Sequence, residues 1–307
     1  MINLGTCSWT EKTLIQSGEF YPGSIKTAEG RLRYYATRFD TVEVDSTYYA
    51  IPNKRNTYLW VDRTPENFIF HIKVFGALTG HGIDPRTLPW DILSLLPEKD
   101  KTEHRIYVRE SSIIKVIAGR FLEALTPLVN AKKLGVLVFQ FPPWFQYRTR
   151  NFNYILNIKE LMGDHHVAAE FRHGSWLASD CLGSTLEFLR ENKITYITAD
   201  EPQYGNLATI PFIPEVTTDT AYFRFHGRNK ENWLKKGIET TLRFAYLYSE
   251  EELGTLAQSV QNINKVAKVT YAMFNNCHGG SAVKNALRMK EMVKKELTGE
   301  GKPADEG

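Results

Sequence analysis

The run Thr41-Val42-Glu43-Val44-Asp45-Ser46 alternates β-branched residues with carboxylates and ends in polar residues. Successive side chains on a strand point to opposite faces, so Glu43 and Asp45 share one face while Val42 and Val44 share the other. An apolar face with charge gathered towards the C-terminal end suits a barrel strand, because in parallel α/β barrels the chemistry lies at that end. The design recurs. Short β-rich runs predict strands at 2–7, 41–45, 68–74, 135–141, 167–171, 195–200, 221–226 and 269–274.

Amphipathic segments with helical spacing lie between most of these runs, at 27–38, 53–63, 116–132, 152–162, 184–192, 250–265 and 281–297. The connection that follows the seventh strand, 228–248, carries no clear helical signal. Strands alternating with helices call for a parallel sheet with right-handed crossovers, and eight units over about 250 residues predict closure into a (β/α)8 TIM barrel, a single domain over residues 1–297. An open doubly wound sheet is the alternative, but no glycine-rich phosphate fingerprint follows the first strand. Two segments stand apart. Residues 76–115 form a long insertion after strand 3, expected either as a lid over the C-terminal face or as a decorative excursion. The polar tail 298–307 is expected to be disordered.

The 307 residues are 42% hydrophobic and 24% charged, which is ordinary globular composition. A formal net charge of +3, spread along the chain, is too small to argue for a nucleic-acid or membrane partner. No stretch approaches 18 consecutive apolar residues and the N-terminus lacks a signal-peptide pattern, so a cytoplasmic protein with no membrane partner is expected. Cys7, Cys181 and Cys277 show no CxxC spacing and fit a reducing compartment. Cys7 and Cys277 fall on neighbouring barrel strands, either as a thiol pair or as two ordinary reduced cysteines.

The strand ends carry the candidate site. Glu43 with Asp45, His71 with Lys73, Glu170 with Arg172 and Arg224 with His226 each share a face by alternation. From these, Glu43, Asp45, Lys73, Glu170 and His226 are the candidate catalytic groups. The candidate substrate-binding residues are Trp9, Tyr48, Gln140, Arg172, His173, Trp176, Asp200, Arg224, Arg228, Asn275, Asn276 and His278. The competing reading is a structural network of paired charges, since a charge inside a barrel is costly unless paired.

Three chemistries fit these residue types. A divalent metal could take ligands from Glu43, Asp45, Glu170, Asp200, His173, His226 and His278, although no HxH or HExxH pair is present. Acid and base catalysis could use Glu43 and Glu170 as carboxylates of separated pKa, with His226 or Lys73 carrying protons and Trp9, Tyr48 and Trp176 as stacking surfaces. Arg172, Arg224 and Arg228 beside Lys73 suit a phosphate or carboxylate, with backbone amides at Gly227 and at Gly279-Gly280 approaching the same anion.

The chain resembles the YecE-like family known as "domain of unknown function 72". The resemblance rests on Phe39-Asp40-Thr41-Val42-Glu43-Val44-Asp45-Ser46-Thr47-Tyr48-Tyr49, Gly5-Thr6-Cys7-Ser8-Trp9, Phe20-Tyr21-Pro22, Phe139-Gln140-Phe141-Pro142-Pro143, Glu170-Phe171-Arg172-His173-Gly174-Ser175-Trp176, Phe225-His226-Gly227-Arg228 and Phe274-Asn275-Asn276, in family order. It implies a TIM barrel and implies no activity. Asp45 stands where the family more often has Asn, Gly174 where it often has Pro, and Cys277-His278 where a His commonly follows the two asparagines.

These observations lead to an expected enzyme for a small anionic or polyhydroxylated substrate, a sugar or sugar phosphate, working by acid/base hydrolysis or isomerisation. The alternatives are a non-catalytic binding protein for a phosphorylated ligand or nucleic acid, and a metal-dependent phosphodiesterase or nuclease. An enzyme calls for carboxylates of perturbed pKa facing a pocket; a mere binder calls for Glu43 and Glu170 fully consumed by salt bridges.

Overall fold

The structure is a computed structural model that describes residues 1–298. The tail expected to be disordered, 298–307, lies outside the described residues except for its first position. The chain runs β1 (Ile2–Thr6), α1 (Lys12–Ser17), α2 (Ala28–Arg38), β2 (Thr41–Val44), α3 (Lys54–Asp62), β3 (Ile69–Lys73), α4 (Trp90–Leu93), α5 (Glu98–Lys101), α6 (Ser111–Asn130) and β4 (Leu134–Gln140). It continues α7 (Thr149–Leu161), β5 (Val167–Glu170), α8 (Leu182–Glu191), β6 (Thr195–Asp200), β7 (Thr220–Phe225), α9 (Lys230–Trp233), α10 (Thr240–Arg243), α11 (Glu250–Asn264), β8 (Val269–Phe274) and α12 (Ser281–Thr298).

All eight strands belong to one parallel sheet in the order β1-β8-β7-β6-β5-β4-β3-β2, which is the (β/α)8 barrel. Alternation sorts its side chains into two layers. Val42, Val44, Phe70, Ile72, Ala169, Phe171, Phe223 and Phe225 pack outward with helix residues such as Leu32, Phe121, Leu189, Leu256 and Ala286. Inside the barrel lies a smaller apolar cluster of Cys7, Val136, Val138, Ala168, Ile197, Tyr222 and Met273. Helix starts are set by local chemistry: Thr27 accepts from Gly30 N at 3.0 Å, and Ser249 with Glu252 forms a reciprocal capping box that opens α11.

The edge strands β1 and β2 meet through a side chain. Thr6 N donates to the buried Tyr35 hydroxyl at 2.9 Å, which donates to Thr41 O at 3.2 Å. The strands come so close that a Cβ on Gly5 would sit 2.5 Å from Thr41 O. Between β3 and β4 the register slips by one residue, and His71 Nδ1 accepts from Val136 N at 3.0 Å. His71 is therefore spent on the ladder, with its ring against Tyr271 and Tyr222, and does not reach the mouth.

Two expectations about connections need correction. Residues 228–248 hold two four-residue helices, α9 and α10, and the connection without a helix is 201–219, between β6 and β7. A run of four residues is too short for amphipathic period to register. The helix after the insertion begins earlier than expected, at Ser111. Within the insertion, Ile83 and Ile106 exchange backbone hydrogen bonds at 2.9 Å and pin its two arms together.

Candidate functional site

Arg224, fully buried on β7, organises the upper barrel. Its Nε and Nη2 grip Glu43 from β2 at 3.1 and 2.6 Å, and its Nη1 bonds Glu170 from β5 at 2.5 Å and Gln140 from β4 at 2.9 Å. Nη2 also lies 3.4 Å from Asp45. Tyr222, two residues before Arg224 and on the same face, donates to Glu43 at 2.8 Å. Glu170 is held further by Arg172 Nη1 at 2.9 Å and by His226 Nε2 at 3.1 Å. Asn275 Nδ2 donates to His226 Nδ1 at 2.9 Å, so the ring proton sits on Nε2 and points at Glu170. Arg172 reaches Glu201 at 3.3 Å and lies over the Trp233 ring at 4.8 Å. Lys73 pairs with Asp45 at 3.4 Å and lies over Tyr48.

This cluster holds four carboxylates (Glu43, Asp45, Glu170, Glu201) against three cations (Lys73, Arg172, Arg224), since burial pushes His226 down to about 4 and leaves it neutral. Burial drives both Glu43 and Glu201 up to about 7, with Arg224 and Arg172 respectively working against the rise. Burial also opposes ionisation of Glu170, but Arg224, His226 and Arg172 together hold it well below the usual carboxylate range. The two glutamates are thus separated, as expected from sequence, and both are 0% exposed.

A cavity of about 780 Å³ opens above this floor. Asp45, Lys73, Gln140, Arg172 and Asn275 line it, as does Tyr48. Its further walls come from the insertion, through Gly82, Ile83, Asp84, Thr87 and Arg105, and from the connection after β7, through Trp233, Leu234, Lys236, Thr240, Arg243 and Phe244. Glu43, Glu170, Arg224 and His226 lie beneath it, sealed from solvent. Trp9 lines a smaller cavity of about 300 Å³ with Trp60, and Asp45 borders both cavities.

Other sequence candidates are placed elsewhere. Trp176 is a core residue, 0% exposed, stacked on Phe171 at 4.2 Å and donating to Phe145 O. Asp200 and Arg228 form a separate pair at 2.8 Å, joined by Tyr248 and Glu252. His173 caps the short turn at Gly174–Trp176. Asn276 bonds Tyr246 O and Asn285, and His278 begins the turn before α12. The amides proposed for an anion are already taken: Gly227 N donates to Tyr248 Oη and Gly279 N to Thr13 Oγ1. Of the residues that could have held a metal, Asp200, His173 and His278 are among those placed elsewhere. Among the described residues, the one group with ligand atoms within 4.8 Å of one another is Cys7, Glu43 and Asp45. Arg224 Nη2 already contacts all three, and burial raises the Cys7 thiol well above its ordinary value. A divalent ion there would have to displace a guanidinium.

Glu201, Tyr222, Arg105, Trp233, Lys236 and Arg243 were not among the sequence candidates. Alternation from Arg224 points to Tyr222; the others lie outside strands, where no period marks them.

The chain matches the family described as "Protein of unknown function DUF72" over residues 3–306. It is 32% identical to the UPF0759 protein YunF of Bacillus subtilis over 304 residues, 97% of each chain. Solved structures of two proteins described as DUF72 family are similar. One, from Enterococcus faecalis, has a TM-score of 0.78 at 31% identity, covering 96% of each chain. The other, from Thermotoga maritima, has a TM-score of 0.75 at 32% identity, covering 96% of this chain and 99% of that one.

Proposed function

We propose, for a chain that belongs to the family described as "Protein of unknown function DUF72", an enzyme acting on a small polyhydroxylated substrate that carries an anionic group, by acid/base hydrolysis or isomerisation. The observation that carries this reading is the Asp45–Lys73 pair, 3.4 Å apart on the wall of the cavity. Asp84, the other carboxylate on that wall, is held bidentate by Arg86. Asp45 is thus the acid or base with access to a ligand, and Lys73 the adjacent proton carrier or charge stabiliser.

The surroundings support the same substrate class. The cavity volume of about 780 Å³ is that of a small-molecule site. Gln140 and Asn275 offer amides to hydroxyl groups, and Tyr48 and Trp233 add aromatic surface to the lining that the carbon side of a sugar ring can meet. Glu43 and Glu170 serve beneath as supports: with Arg224 they fix the strand ends that carry Asp45 and Arg172.

A panel of sugar phosphates and the matching free sugars, followed by NMR for product, tests the reading with Asp45→Asn and Lys73→Met as controls. Turnover that falls by about 10²–10⁴ in Asp45→Asn is the expected result for loss of a general acid or base. Wild-type rates in both variants would overturn it. One observation favours a second reading, a non-catalytic binder: the salt bridges consume Glu43 and Glu170 completely. Binding across the panel without any turnover would select it.

A further inference from the structure

The four basic residues that the sequence offered to an anion are each neutralised within the protein. Lys73 faces Asp45 at 3.4 Å, Arg172 faces Glu170 at 2.9 Å and Glu201 at 3.3 Å, Arg224 faces Glu43 and Glu170, and Arg228 faces Asp200 and Glu252. The same cavity has three other cations on its wall: Arg105, Lys236 and Arg243. Among the described residues none of these three has a carboxylate within salt-bridge distance.

We propose that Arg105, Lys236 and Arg243 form the anion subsite, binding the phosphate monoester of the substrate at the rim of the cavity while its hydroxyl groups reach Asp45 and Lys73 deeper on the wall. The inference rests on the reading above and gives it an orientation. Arg105 and Lys236 are exposed and Arg243 is half-buried, whereas Lys73 and Arg172 side chains are only 11% and 12% exposed, so the two sets occupy different depths.

Two of the rim cations are positioned by the fold. Arg105 precedes Ile106, which is bonded to Ile83 in both directions, and its stem lies flat on Gly82; a Cβ at Gly82 would fall 2.8 Å from Arg105 Cγ. Its guanidinium lies over Tyr107 at 5.7 Å. Arg243 Nη2 donates to Lys235 O at 2.8 Å, and its Nε is buried without a partner. Asn229 ties the same connection together by donating to Leu242 O and Ala245 O. Three cations without carboxylate partners on the lining of one cavity are an arrangement that a doubly charged oxyanion completes, since phosphate accepts the fork geometry of arginine and supplies the missing charge.

Isothermal titration with inorganic phosphate, glucose 6-phosphate and glucose tests this. In the wild type, both phosphates bind and glucose binds far more weakly, with affinity falling as salt rises. Arg105→Gln/Lys236→Gln/Arg243→Gln loses at least about ten-fold in phosphate affinity, as expected when charge-assisted bonds are removed. Lys268→Gln, just before β8 at the barrel end opposite the cavity, keeps phosphate affinity within about two-fold. The double variant Arg105→Gln/Lys236→Gln, whose two sites are exposed, covers the case in which the triple variant folds poorly, and should weaken binding in the same direction. No phosphate binding by the wild type, wild-type affinity in the rim variants, or an equal loss in Lys268→Gln would overturn the assignment. Any of these leaves the role of Asp45 standing, because that role is read from turnover in Asp45→Asn.

Discussion

Arg224 grips Glu43 with two nitrogens, Nε at 3.1 Å and Nη2 at 2.6 Å, inside a barrel where both residues are 0% exposed. Lysine cannot reproduce that fork. Arg224→Lys keeps the charge but leaves buried carboxylate oxygens without donors, and should lower unfolding free energy by about 1–3 kcal/mol. Urea denaturation at pH 7 measures it, and a change below about 1 kcal/mol would show that the network adds little.

Glu170 and Asp45 should separate stability from chemistry. Glu170 has two guanidinium partners, a neutral imidazole N–H and no exposure, so Glu170→Gln should destabilise by about 3 kcal/mol or more. From sequence alone the same change looks harmless to folding, because a catalytic carboxylate is dispensable for it. Asp45 is 24% exposed with looser contacts at 3.4 Å, so Asp45→Asn should cost less than about 1 kcal/mol. Its effect belongs on turnover or on ligand affinity.

Glu201 should make its own mark on the pH dependence of stability. Burial raises its folded-state pKa from 4.5 to about 7, so the native state binds more protons than the unfolded chain between those values. Its contribution is then fully present at low pH and is lost as pH rises through about 7. His226, lowered to about 4, acts in the opposite sense below 6.5. The difference between wild type and Glu201→Gln isolates the glutamate: the variant should gain relative to wild type on going from pH 5 to pH 8. Parallel stability curves would contradict it.

Tyr35→Phe removes the hydroxyl that joins β1 to β2 and leaves the buried Thr6 amide without its acceptor. A loss of about 1–3 kcal/mol is expected. Gly5→Ala brings a Cβ to 2.5 Å from Thr41 O and 2.9 Å from Met273 Cε, so overpacking should cost about 1–3 kcal/mol at the same place. Thermal unfolding of both variants checks whether this junction limits the barrel.

Much of the site follows from strand alternation once it is applied to every strand. Glu43, Glu170, Arg224 and His226 share the inner face, as predicted. The same rule places Asp200 with Tyr196 on the outer side of β6, opposite Ile197, which lies in the inner cluster. It likewise separates His173 from Arg172 and Asn276 from Asn275, and these are the residues found away from the cavity. Arg228 escapes the rule because Gly227, at φ 87°, turns the chain between His226 and Arg228. Arg105, Lys236 and Arg243 lie in long connections where backbone direction depends on tertiary contacts, so nothing in their spacing marks them. Eight strands were legible because their apolar faces repeat; α9 and α10 were not, being about one turn each.

The Arg224 cluster also couples the two halves of the chain. Glu43 and Glu170 come from β2 and β5, whereas Arg224 comes from β7, 181 and 54 residues away. A fragment ending after β5 would carry two interior carboxylates with no Arg224 between them, and the complementary fragment would carry an interior guanidinium with no counterion. Neither fragment by itself pairs these buried charges, so the cluster acts as a lock that is satisfied only when both halves of the barrel are together.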